Sequence, residues 1–235
     1  MLSLDLQLPR RRPPVILFIG AHSDDIEIGC GGTVQELLRR YPRAQVHWVV
    51  LNGEEIRDRE ASDSARLLLG RAFRAHNVRI ANFRGSYFPA EFSAIKDYFE
   101  TLKSIQPDVV FTHCREELHQ DHRVVGEITW NTFRNHVVLE YEIPKFDGGL
   151  GSPSVFVPLT AAMVRRKVAH LMKVFATQRS RRWFTPSTFE GLMRLRGIEC
   201  NAPSGYAEAF YSRKLMFGGD DTARAAGVSQ RRKRR

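Results

Sequence analysis

The residues VILFIGA (15–21) form an unbroken aliphatic and β-branched run that ends abruptly in a polar, glycine-rich stretch, followed by VQELLRRY (34–41) with helical apolar spacing. Three more such pairings follow: VHWVVLN (46–52) with 54–69, VRIANF (78–83) with 92–104, and DVVFTH (108–113) with 122–136. Apolar runs too short for anything but strands, alternating with amphipathic segments, predict an α/β fold. The expected form is Rossmann-like, a mostly parallel sheet with helices on both faces and ligands gathering at the carboxyl ends of the strands.

After residue 139 the pattern loosens. YEIPKFDGGLGSPSVFVPLT (141–160) is rich in proline and glycine and reads as strands and loops; 160–177 reads as a helix, and an arginine-rich, aromatic segment runs on to Tyr211. The expected organisation is a basic extension over 1–13, one domain over 14–217, and a disordered basic tail over 218–235.

Two polar clusters follow expected strand ends. AHSDDIEIGCGGT (21–33) sets His22, Asp24 and Asp25 within four residues at the mouth of an apolar strand, where carboxylates are costly unless a cation or hydrogen-bond donors neutralise them. THCREELHQDHR (112–123) supplies His113, His119, Asp121 and His122, with His119 and His122 three apart on one side of an expected helix. A His/Asp/His set offers three nitrogen and oxygen ligands and leaves a position for water, which suits zinc. Taken singly the pieces are weak, since an HxxH pair is common and two aspartates often only cap a helix. GCGG lacks the spacing of a dinucleotide fingerprint.

AHSDD followed by GCGGT, with HQDH about a hundred residues later, resembles the PIG-L/LmbE-like family of zinc-dependent de-N-acetylases. Its members act on N-acetylglucosaminyl-phosphatidylinositol, on N-acetylglucosaminyl-inositol thiol precursors and on antibiotic amino sugars. The match spans residues 15–136, and Arg57, Glu60 and Ala61 fit the family's RxxEA helix, with YAEAF (206–210) similar to its closing motif. The resemblance implies His22, Asp25 and His122 as zinc ligands and Asp24 as general base. It implies His119 as the group that stabilises the oxyanion and protonates the leaving amine, and Asp121 as a partner behind a ligand. Arg57 is a candidate for a substrate phosphate or carboxylate, with a structural ion pair as the competing reading. YEIPK and RRWFTP (181–186) are candidates for a sugar cleft, with core packing as the alternative. The chain departs from the commoner AHPDDE of the family: Ser23 replaces proline, Ile26 replaces glutamate, and Glu27 follows one place later. Glu117 stands where the family often has aspartate.

The implied activity is hydrolysis of an N-acetyl or other N-acyl amide on an amino sugar or glycoconjugate, with one zinc ion per chain. A relative acting on a longer acyl chain or a non-sugar amine is the nearer alternative. A metal-free nucleotide-binding module is more remote, and so is a nucleic-acid-binding protein. The net charge of +10 does not favour the last, because the basic residues of 10–12 and 231–235 carry eight of it and leave an ordinary body of +2. Three cysteines without a CxxC pair argue against a disulfide framework. No apolar run approaches the roughly 20 residues of a membrane span, and no amphipathic helix has a clear basic face. The reading is a cytoplasmic enzyme with a small-molecule substrate and neither membrane nor nucleic-acid partner; a homo-oligomer is left open. A chain truncated at Gly219 is expected to fold and turn over like the full chain, and a folded truncation without activity would refute the reading of the tail as dispensable.

Overall fold

The computed structural model describes residues 5–9, 11–53, 55–74 and 77–216; the tail 218–235 lies outside them. Among the described residues seven strands form one sheet in the order β3-β2-β1-β4-β5-β7-β6. β1 (Val15–Gly20), β2 (Gln45–Val50), β3 (Val78–Ile80), β4 (Val109–His113) and β5 (Val137–Tyr141) run parallel. β7 (Ala207–Tyr211) pairs antiparallel with both β5 and β6 (Val155–Pro158).

Alternation along the strands fills both faces. Ile16 and Phe18 of β1 face one core, shared with α1 (Asp25–Arg40), α2 (Glu55–Leu69), α5 (Ala161–Val174) and α6 (Pro186–Glu199). Leu17 and Ile19 face the other, covered by α3 (Phe92–Leu102) and α4 (Gln120–Thr132). A sheet buried on both faces explains why its parallel strands read as continuous apolar runs. In the extension, Leu8 joins the first core and Arg12 pairs with Asp108, so the described part of 1–13 lies against the body. Among the described residues no helix is long and apolar enough to cross a membrane.

Two elements differ from the sequence reading. The glycine-rich stretch expected to be a turn before residue 34 is helical from Asp25, interrupted only at Cys30, whose φ of −143° leaves the helical region. The break has a physical cause in β7: the Glu208 carboxylate accepts hydrogen bonds from Gly32 N (2.8 Å) and Thr33 N (2.6 Å), capping the second half of α1 as a side-chain acceptor caps any helix start. Lys167 Nζ neutralises that carboxylate at 2.6 Å and also donates to Ile28 O. The arginine-rich aromatic segment contains a full helix, α6, with Thr185 accepting from Thr188 N and Pro186 in the first turn.

The neighbours of β1 are β2 and β4, so consecutive connections leave the sheet in opposite directions from β1, and the crevice above the β1 and β4 ends is the natural ligand site. The break in α1 lets Gly29 sit against the buried ring of Tyr141, where a Cβ would come within 2.3 Å of Cδ2 and 2.9 Å of Cβ. Gly29→Ala is therefore expected to destabilise the fold by about 1–3 kcal/mol, the usual cost of overpacking, in urea unfolding monitored by circular dichroism. An unchanged midpoint would contradict this packing.

Candidate metal centre

His22 follows β1 by two residues, Asp25 opens α1, and His122 lies in the first turn of α4, whose N-cap is His119. All three of His22, Asp25 and His122 are buried. Asp25 Oδ2 lies 3.2 Å from His22 Nδ1 and 3.5 Å from His122 Nε2, and the two imidazole nitrogens are 3.2 Å apart. A tetrahedral divalent ion with bonds of about 2.0–2.2 Å holds its ligand atoms about 3.3–3.6 Å apart, so the trio has the dimensions of one face of such a site. A second group, His22, His119 and Asp121, also lies close enough to hold an ion.

The surrounding bonds orient the rings. His22 Nε2 lies 3.1 Å from Asp121 Oδ2, so the carboxylate takes the proton-bearing nitrogen and leaves the Nδ1 lone pair facing Asp25 and His122. Asp121 is held in turn by Ser86 N (2.5 Å) and Phe88 N (3.2 Å). Burial alone would raise its pKa, but the bonds from His22 and the two amides outweigh this and keep the carboxyl below the ordinary range. Behind His122, Nδ1 faces Glu117 Oε2 at 3.6 Å. Burial pushes that carboxyl up to about 7. His113 stacks on His122 with centroids 3.9 Å apart and accepts from Ala21 N at 3.0 Å, which fixes the end of β4 against the start of the loop after β1.

Two imidazole lone pairs and a carboxylate oxygen converging within 3.5 Å need a cation. Lys145, from the loop after β5, supplies one: its Nζ is 3.3 Å from Asp25 Oδ1 and 3.4 Å from His122 Nε2. Desolvation works against ionisation of Asp25, yet Lys145 and the imidazoles of His122, His113 and His22 outweigh it and hold the carboxyl well below its usual pKa. Desolvation also opposes the Lys145 charge, and Asp25 and Asp24 reverse that. His122 is pushed well below an ordinary histidine by burial and by its cationic neighbours.

Asp24 stands outside the trio. Its Oδ1 accepts from Arg57 Nη2 at 3.2 Å, while Oδ2 is buried without a hydrogen-bond partner. Arg57 Nε donates to Ser23 Oγ at 3.1 Å, so the serine that departs from the family pattern anchors the arginine that holds Asp24. Among the described residues Arg57 thus makes its ion pair with Asp24. His119 Nδ1 accepts from Asp121 N at 3.3 Å, which leaves its proton on Nε2. Burial foremost, with the Lys145 charge, lowers its pKa and favours the neutral ring. Of the aromatic candidates, Phe184 is buried in the core and Trp183 is partly exposed, its ring 5.5 Å from Lys145 Nζ. The sequence reading placed Lys145 only within the sugar-cleft candidate YEIPK, and no local spacing ties it to Asp25, 120 positions away.

The fold and this cluster define a α/β protein with a His/Asp centre able to hold a metal at the crossover of its sheet. The family model for PIG-L, GlcNAc-PI de-N-acetylase, matches residues 17–133, and the chain belongs to that family. Among solved structures it is similar to an N,N'-diacetylchitobiose deacetylase from Pyrococcus horikoshii, with 22% identity, a TM-score of 0.63 and coverage of 88% of this chain and 86% of that one. It is also similar to a teicoplanin deacetylase (14% identity, TM-score 0.64, 84% and 97% covered). The 4-carboxy-2-hydroxymuconate hydratase of Pseudomonas putida KT2440 shares the fold as well, at 17% identity, TM-score 0.65 and 88% and 99% coverage. One architecture therefore carries more than one chemistry.

Beneath the centre, Glu27 is buried and the Ser64 hydroxyl bridges its carboxyl to His170 Nε2, the latter at 2.7 Å. Desolvation raises the Glu27 pKa from 4.5 to about 8. A carboxyl whose folded pKa exceeds its unfolded one favours the folded state fully below the unfolded pKa and loses that contribution as pH rises through the folded value. In chelator-treated protein, stability should thus decline between pH 4.5 and 8, and Glu27→Gln should flatten the decline. Equal slopes in urea titrations across that window would refute a protonated Glu27.

Proposed function

We propose that this chain hydrolyses the N-acetyl amide of an amino sugar or glycoconjugate, releasing acetate and a free amine, with zinc held by His22, Asp25 and His122. The observation that carries this reading is the 3.2, 3.2 and 3.5 Å spacing of the trio beside the unpartnered Oδ2 of Asp24. Membership of a family described as a de-N-acetylase supports it, as does likeness to a protein described as a diacetylchitobiose deacetylase.

Zinc bound there supplies Lewis acidity, polarising the amide carbonyl and lowering the pKa of a water. Asp121 orients His22, and Glu117 faces the far side of His122. Arg57 and Ser23 hold Oδ1 of Asp24, leaving Oδ2 to take the proton of the attacking water. His119, neutral and protonated at Nε2, donates a hydrogen bond to the carbonyl oxygen as negative charge develops. A neutral donor holds no spare proton, so the proton gathered by Asp24 is the one passed to the leaving nitrogen. Trp183 offers a face for a sugar ring, and the exposed Leu118 and Phe146 give the surface an apolar character.

Zinc analysis and acetate release, measured on N-acetylated sugars, sugar nucleotides, glycoconjugates and longer-chain N-acyl amides, test the reading; a zinc-loaded protein that cleaves none of them overturns it. His22→Ala and His122→Ala should lose metal occupancy. Asp24→Asn should retain zinc while single-turnover rates fall about 10²–10⁴-fold, and His119→Ala should retain it with a loss of about 10²–10³-fold. An emptied site in Asp24→Asn, or an unaltered rate, would refute the division of labour between the two aspartates.

A further inference from the structure

Two lysines lie among the elements around the centre, Lys167 buried and Lys145 partly exposed, and their surroundings differ in kind. Lys167 is a structural cation, bonded to Glu208 and to the Ile28 carbonyl, and every partner it uses belongs to the scaffold. Lys145 has no such partners. Among the described residues its Nζ makes hydrogen bonds to two groups only, Asp25 Oδ1 and His122 Nε2, and both residues belong to the candidate ligand trio. Its side chain is only 13% exposed, so water screens the contact weakly. The indole of Trp183 has its ring centroid 5.5 Å from Nζ, within the range in which a cation is attracted to an aromatic face.

An ion held by Asp25 and His122 draws on the same carboxylate charge and the same imidazole lone pair that Lys145 uses. A single lone pair on His122 Nε2 cannot serve both, and two positive charges sharing one carboxylate repel each other across a poorly screened gap. Resting on the reading of the trio as a metal centre, we propose that Lys145 is a resident counter-ion that competes with the metal for Asp25 and His122, withdraws toward Trp183 when metal binds, and thereby sets how tightly the centre holds it. The lysine stabilises the empty centre by neutralising a buried carboxylate that would otherwise be uncompensated. It weakens the filled centre by the same charge.

The inference predicts opposite effects on the two states, which a merely structural lysine would not give. Zinc dissociation constants, measured by competition with a chromogenic chelator, should tighten by about tenfold or more in Lys145→Met, while Lys145→Arg, which keeps the charge, should remain near the unsubstituted protein. In thermal melts the chelator-treated Lys145→Met protein should unfold at a lower temperature than the unsubstituted protein, and zinc should raise its Tm by more. If Lys145→Met does not fold without metal, Lys145→Gln is measured in the same way. Unchanged or weaker zinc binding in the neutral variant overturns the proposal. Absence of zinc binding in the unsubstituted protein instead overturns the metal-centre reading, so the two failures are distinguishable.

Discussion

Burial of the Asp25 carboxylate at the crossover of the sheet is the constraint around which the rest is arranged. A carboxylate without solvent must be matched by cations or donors: His22 N donates to Asp25 Oδ2 at 2.7 Å, Lys145 after β5 faces Oδ1, and the rings of His22 after β1, His113 ending β4 and His122 in α4 enclose it. Each of those elements must be correctly placed for the charge to be tolerated. The core supplies that placement: β1 and β4 are adjacent and their side chains interlock with helices on both sides, so the strand ends that carry the polar groups cannot drift apart.

The same economy shapes the groups behind the first ring of residues. Asp121 and Glu117 face the outer nitrogens of His22 and His122 from a single loop and helix start. Asp24 is kept out of the trio by Arg57 and Ser23. Two adjacent aspartates thus sit in different electrostatic settings, one surrounded by imidazoles and an ammonium and the other held by a guanidinium at one oxygen only. Different settings for like groups are what acid–base chemistry requires.

The sequence made the α/β alternation legible because both faces of the sheet are buried, leaving apolar runs with no polar interruption from Ile16 to Ile19 or Val109 to Phe111. His22, Asp25 and His122 were legible because two short motifs follow strands. What could not be read is what arrives from far away. Lys145 lies in the YEIPK segment, readable only as a candidate for a sugar cleft, and the amides of Gly32 and Thr33 are capped by Glu208, some 175 residues distant. The helix α6 is a different case: Thr185 followed by Pro186 is a start signal of the usual kind, but the surrounding arginines and aromatics obscured its period.

The cap that Glu208 places on the interior of α1 joins that helix to β7. During synthesis the ribosome releases the first helix long before Glu208 exists, so the amides of Gly32 and Thr33 lack that acceptor until residues beyond 200 have emerged. The helix bearing Asp25 therefore acquires its final support only once the closing strand has docked between β5 and β6. A polypeptide that has not yet reached Glu208 therefore lacks this support for α1 even though it already contains the three candidate ligands.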